Sequence, residues 1–188
     1  MKKIPSLFER DWNGDRSRVI GKVAAGCEWV ANGEGIATRK FDGSPVMIRD
    51  GKLYKRYDCK NGKSPPPGFD PCQEPDPVTG HWPGWVPVNE TAKEDRWFRE
   101  AWKNSIASRC EWSGTYEACG PHFQGNPEQR HFDVLVKHGE EKLPDAPRTF
   151  SALAEWFKGK DIEGIVWHHP DGRMCKIKKS DFGLRRNE

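Results

Sequence analysis

Two Asp-Gly pairs, Asp50-Gly51 and Asp171-Gly172, each stand between runs rich in β-branched and apolar residues. Asp-Gly readily takes the left-handed backbone of a tight turn, so each pair ties its flanking strands into an antiparallel hairpin. SPVMIR and LYKRYD make the first hairpin. With GIATRK before them, 36–58 becomes a strand followed by a hairpin. IEGIVWHH and RMCKIKK make the second, and further strands are expected in EWSGTYEA and RHFDVLVKH. Between them the period changes. Thr91 with Glu94 fits a capping box, and Phe98, Ala101, Trp102 and Ser105, with Ile106 beside them, share one helical face. FSALAEWFKGK repeats the pattern, with Leu153, Trp156 and Phe157 on one side and Gly159 as the stop. Locally paired strands with two main helices set apart from them define an α+β class with antiparallel sheets.

The 188 residues are expected to form a single domain, 1–188, large enough for its own core. A hydrophobic share of 35% with 31% charged residues excludes a disordered chain. Residues 61–88 hold eight of the fifteen prolines and are expected to be a long ordered loop or insertion, pinned by Trp82 and Trp85. The net charge of +3 does not by itself argue for nucleic acid, which would need a local basic cleft. No apolar stretch follows Lys2 and Lys3, and no run approaches the roughly 20 residues of a membrane span. The expectation is a cytoplasmic protein with no membrane, whose Cys27, Cys59, Cys72, Cys110, Cys119 and Cys175 are free thiols. A zinc site from Cys59, Cys72 and His81 lacks paired ligand spacing.

One residue is out of place in this pattern. Lys40 stands in the middle of an apolar, strand-like run, TRKFDGSPVMIR, with Asp42 two residues later and Gly43 beyond it. A strand lysine usually faces solvent. A lysine that attacks phosphorus must instead lose its proton, which nearby cations and desolvation promote. Phosphoryl chemistry also needs cations for oxygen charge, carboxylates for a metal and a slot for a base. Strand alternation sets Lys40 and Asp42 on one face, and Lys176 and Lys178 on one face with Ile177 opposite. Gly43 permits a close approach. Arg56 lies on the hairpin strand downstream, and Glu117 and Glu163 stand in apolar contexts where an unpaired carboxylate is costly.

The order KFDG, a downstream Arg, GTYE, HFDVLV, EGIV and KIK resembles motifs I to V of the covalent nucleotidyltransferase superfamily of ATP-dependent ligases and capping enzymes. GHWPGWVPV, GPHFQGNP, EGIVWHHPDG and FGL resemble more closely the small stand-alone ATP-dependent 5′-3′ RNA ligases of vertebrates, microbes and phages. That resemblance implies a ligase-type nucleotidyltransferase fold with helices flanking sheets around a central ATP cleft. It implies Lys40 as the AMP acceptor, Asp42 as its motif partner, and Lys176 and Lys178 on the α-phosphate. Arg56 would hold nucleotide and phosphate, Glu117 the ribose or a metal water, and Glu163 the shell of Mg2+ (or Mn2+). Phe132, with His131 close behind, would stack on adenine. RNA with 5′-phosphate and 3′-hydroxyl ends is the implied partner. The chain stops soon after KIKK, at Glu188, so no OB-fold domain is expected, which favours RNA ligase over nicked-DNA joining or guanylyl transfer. A non-catalytic RNA-end binder would not require Lys40, Glu163 and Lys176 together.

Overall fold

The computed structural model describes residues 1–106 and 113–186. Its strands in chain order are β1 (Phe8–Arg10), β2 (Val19–Val23), β3 (Ile36–Lys40), β4 (Ser44–Arg49), β5 (Lys52–Cys59), β6 (Asp70–Pro71), β7 (Trp82–Pro87), β8 (Gly114–Cys119), β9 (Val134–Lys137), β10 (Gly164–His168) and β11 (Met174–Lys178). The helices are α1 (Glu28–Ala31), α2 (Arg96–Ile106) and α3 (Phe150–Phe157). All strand pairs are antiparallel, and the class is α+β as expected. The chain divides into two compact units, one of Met1–Lys3 with Asp42–His138, the other of Ile4–Phe41 with Gly139–Glu188. Among the described residues no helix is long and apolar enough to cross a membrane.

The first unit is built on a six-stranded sheet ordered β6-β7-β5-β4-β8-β9. Val46, Ile48, Leu53, Tyr116, Ala118 and Leu135 are buried on it, and α2 covers them with Ala101, Phe98 and Trp102. Ser105 ties helix to sheet: its hydroxyl donates to Ala101 O and accepts the Leu135 amide. The buried face therefore matches the sequence pattern, but the start of the helix does not. A 3₁₀ turn, Lys93–Asp95, precedes α2, and Thr91 is no cap. Asn89 Oδ1 instead accepts the Thr91 and Ala92 amides, while buried Asp95 accepts the Asn89 amide and pairs with Lys55. Asp95 and Lys55 hold the turn, because a buried carboxylate is stable only when paired.

The proline-rich segment differs too. It is not loop to its end: Trp82–Pro87 is a strand between β5 and β6. Its prolines are placed where they cost no ladder bond. Pro83 O accepts from Cys72 on the β6 side, whereas Val88 N donates to Leu53 on the β5 side. Alternate residues point their backbone groups the same way, so Pro83 and Pro87 both turn their missing N–H toward the two-residue β6, and the β5 ladder stays intact. Trp85 is buried and Trp82 Nε1 donates to Gln73 O, so both tryptophans do pin the segment. RHFDVLVKH enters its strand only at Val134, and EWSGTYEA enters at Gly114; Glu111, Trp112, Cys110 and the Ile106 side chain lie outside the described residues.

The second unit holds a three-stranded sheet ordered β11-β10-β3 and the β1–β2 pair. Ala37, Ile165, Trp167, Cys175 and Ile177 form its buried face, packed on Leu7, Val30, Leu153 and Phe157. Burying each large aliphatic or aromatic side chain here contributes about 1.5–3 kcal/mol. The expected helix 150–160 ends at Phe157, and Gly159 follows at φ +68, the left-handed backbone that stops it.

Candidate functional site

In the second unit β10 is the middle strand, and its register sets the site. Gly164 lies opposite Lys40 on one side and Lys178 on the other. One rung along the same face, Val166 lies between Thr38 and Lys176. Alternation then puts Lys40, Lys176 and Lys178 on one face and the apolar core on the other. The expected sharing of a face by Lys176 and Lys178, with buried Ile177 opposite, is what the structure has.

Gly164 has no side chain between the two flanking lysines. A Cβ there would lie 2.2 Å from Ile177 O, so the strand pair closes only over glycine. Glu163, at the bend just before β10, fills the gap. Its Oε2 accepts from Lys40 Nζ at 2.5 Å and its Oε1 from Lys178 Nζ at 2.6 Å. The carboxylate is 13% exposed and bridges two cations. Burial pushes its pKa up, but Lys40 and Lys178 outweigh burial and hold the carboxyl below its usual range. Lys176 carries the opposite strain. Burial first, then the charges of Lys40 and Lys178, push its pKa down to about 8. Of the other lysine in the run, Lys179 is buried and structural, donating to the carbonyls of Lys160 and Arg186. Thr38 and His168, which the sequence reading passed over, lie on this same face and are hydrogen-bonded to each other at 3.0 Å.

KFDG does not behave as one strand. β3 ends at Lys40, so alternation never reaches Asp42, and the expected shared face fails for that pair. Asp42 and Gly43 belong to the first unit. The Asp42 amide donates to Glu128 Oε1, and a Cβ on Gly43 would sit 2.2 Å from Ala118 O. The group that Gly43 admits is therefore the backbone of β8. Glu117 lies on β8, 7% exposed, with its Oε2 2.8 Å from His138 Nε2. A carboxylate only accepts, so Nε2–H donates to it, while Nδ1 faces Thr115 Oγ1 at 3.0 Å. His138 is a partner that motif reading missed; its place two residues past the apolar VLV run is the one signal. His138→Ala strips a buried carboxylate of that donor and is expected to cost about 1–3 kcal/mol in urea unfolding. An unchanged midpoint and slope would show that the imidazole carries no such weight.

Cys119, on the same strand, is pushed up to about 12, by burial first and then by the charges of Glu117 and Glu128. Arg56 donates to Met1 O and Cys72 Sγ and lies over the Trp85 ring, lining a cavity of about 480 Å³ with Lys3, Asp58 and His81. Phe132 stands before β9, 59% exposed. Cys59 donates to Lys63 O and His81 pairs with Asp58, so with Cys72 beside Arg56 the three residues of the conceivable zinc set have other partners.

Residues 106–188 match the family model of RNA ligase 1, which takes in Glu117, Phe132, Glu163, Lys176 and Lys178 but begins after Lys40 and Arg56. RNA ligase 1 of Danio rerio is 31% identical, over 56% of this chain and 42% of that protein. RNA ligase 1 of Pongo abelii is 30% identical over the same shares, and that of Rattus norvegicus 29% identical over the same shares. The chain spans less than half the length of the curated relatives it matches. The likeness to RNA ligases read from the motifs is thus found independently along the chain.

Proposed function

We propose that this protein is an ATP-dependent RNA ligase that joins a 5′-phosphate to a 3′-hydroxyl through a lysyl-AMP intermediate, on a ligase-type nucleotidyltransferase fold. The observation that carries the reading is the Glu163 carboxylate held between Lys40 and Lys178, with Lys176 on the same face. The similarity to RNA ligase 1 supplies the substrate class. Lys40 Nζ attacks the α-phosphorus of ATP, the N–P bond forms, and the bond to pyrophosphate breaks. Glu163 orients the attacking nitrogen; because its carboxyl is held below the usual carboxylate range, the proton that Lys40 gives up passes to solvent water. Lys176 and Lys178 offset charge on the α-phosphate. AMP then passes to the RNA 5′-phosphate, and the 3′-hydroxyl displaces it. In the same reading Arg56, Glu117 and Phe132 serve the nucleotide, and Asp42 completes the motif.

Among the described residues no group of three or more His, Cys, Asp or Glu could hold a metal by itself. Magnesium commonly binds through one or two carboxylates plus substrate phosphates, the sparse role this reading gives to Glu163 in one unit and, separately, to Glu117 in the other. Such an ion, when bound, neutralises charge on the phosphates. The test uses matched RNA and DNA substrates, each with and without the 5′-phosphate, assayed with ATP and with GTP. Sealing is expected only of phosphorylated RNA with ATP, because the 2′-hydroxyl is what separates RNA from DNA at a strand end. Equal sealing of all-DNA nicks overturns the RNA assignment, and a requirement for GTP points to capping chemistry.

A further inference from the structure

Residues 120–133 hold a second constellation in the first unit, built on His122 and Asp133, that the proposed chemistry has not used. His122 Nδ1 lies 2.7 Å from Asp133 Oδ2, and the His122 amide donates to Asp133 Oδ1 at 3.2 Å. Asp133 is 3% exposed. The imidazole stacks on Trp97, with centroids 3.3 Å apart and planes 7° apart, and the Arg96 guanidinium lies 4.2 Å from the Trp97 centroid. Gly120, at φ +146, makes room for the carboxylate, since a Cβ there would fall 2.4 Å from Asp133 Oδ1. The loop is also held in unusual backbone. Gln124, Asn126 and Gln129 all have positive φ, a conformation that costs about 1–3 kcal/mol per residue and persists where surroundings enforce it.

The plain alternative is that His122 merely satisfies a buried aspartate. That role needs one donor, and the ring is held by more than that. The carboxylate fixes Nδ1 as the protonated nitrogen, Trp97 fixes the ring plane, and no described residue partners Nε2. The side chain is 39% exposed. A clamped imidazole with one outward nitrogen is built to meet a ligand from solvent. The charges around it choose the ligand. Buried Asp133 holds the inner face of the ring; Arg96, on the far side of the stack, is 3.9 Å from Glu100; exposed Arg130 and His131 close the same loop, where Glu128 is engaged by the Asp42 amide. At a pH where both ring nitrogens carry protons, the outward Nε2–H, with Arg130 and His131 in the same loop, meets an anion.

We propose that His122 is an RNA-phosphate-binding residue, its Nε2–H donating to a phosphate oxygen of the substrate strand. The inference rests on the RNA ligase reading and adds a contact to it. The test measures binding of a 5′-phosphorylated RNA oligonucleotide to the whole protein at mildly acidic pH, where imidazole carries a proton, over a series of salt concentrations. His122→Gln is expected to weaken binding about tenfold and to reduce the salt slope by about 0.7, the value for one phosphate on a single strand. Wild-type affinity and slope in H122Q overturn the inference. If H122Q does not fold, the 15N imidazole spectrum of the wild type decides: a His122 Nε2 signal that shifts on RNA addition supports it, and one unmoved at saturation overturns it. Adenylylation by ATP is read separately on the wild type. A protein that is adenylylated but binds RNA without His122 loses this inference alone, and one that neither labels nor binds RNA loses the ligase reading as well.

Discussion

Lys40→Ala is expected to abolish AMP transfer to the protein while leaving it folded. Incubated with ATP and magnesium, the wild type should gain one acid-sensitive AMP in the proposed reaction, and the variant none. The fold is expected to hold because Glu163 keeps Lys178 as a partner at 2.6 Å when Lys40 is gone, so no buried carboxylate is orphaned. The rival nucleophile is Lys176, the lysine of this face whose pKa is pushed down, to about 8. Ease of deprotonation favours Lys176. Placement favours Lys40, which is directly engaged by Glu163, whereas Lys176 Nζ has no hydrogen-bond partner among the described residues. A cation crowded by two further lysines suits a phosphate-facing donor, and the engaged lysine is the one aimed by a carboxylate. Peptide mapping of the adduct separates them. AMP on Lys176, or wild-type labelling of K40A, would sink the assignment.

Much of this site was legible before any coordinates because strand geometry is so regular. Lys176, Ile177 and Lys178 had to alternate once RMCKIKK was a strand, and they do. The convergence of Lys40 and Lys178 was implied by the motif resemblance and by no local pattern. It depends on β10 lying between β3 and β11, and no local pattern specifies which strand takes the middle. The Asp42 inference failed for a related reason: alternation was extended past the strand end, where Glu128 and the β8 backbone dictate the path instead. The capping box at Thr91 lost to a long-range pair, because Lys55 and Asp95 meet only in the folded sheet. His138 and His122 escaped notice for the same reason. Each matters through a carboxylate far along the chain, and a lone histidine in a sequence carries no sign of it.

Glu163→Ala and Lys176→Met are expected to lose at least about 10²-fold in ligation rate, the scale of removing one preorganised charged group, yet to move stability in opposite directions. Glu163 has a folded pKa below its ordinary value. Its contribution is therefore present above the unfolded carboxyl pKa and is lost as pH falls through the folded one. Alanine removes that contribution and leaves three lysines on one face without their shared anion, so the variant is less stable at neutral pH and its acid limb is shallower. Lys176 is the reverse case. Its pKa is pushed from 10.5 down to about 8, so between those values the unfolded chain binds more protons than the folded one, and stability rises with pH across that window. Below it the group is a full penalty. Methionine fills similar space without the charge, so K176M should gain on the order of 1–2 kcal/mol at neutral pH and lose the alkaline rise. Urea unfolding of both variants from acid to alkaline pH, beside single-turnover ligation, checks the pair. A K176M protein that is no more stable than wild type, or that still ligates at near-normal rate, would show that Lys176 is an ordinary half-buried lysine and not part of the charge-neutralising set.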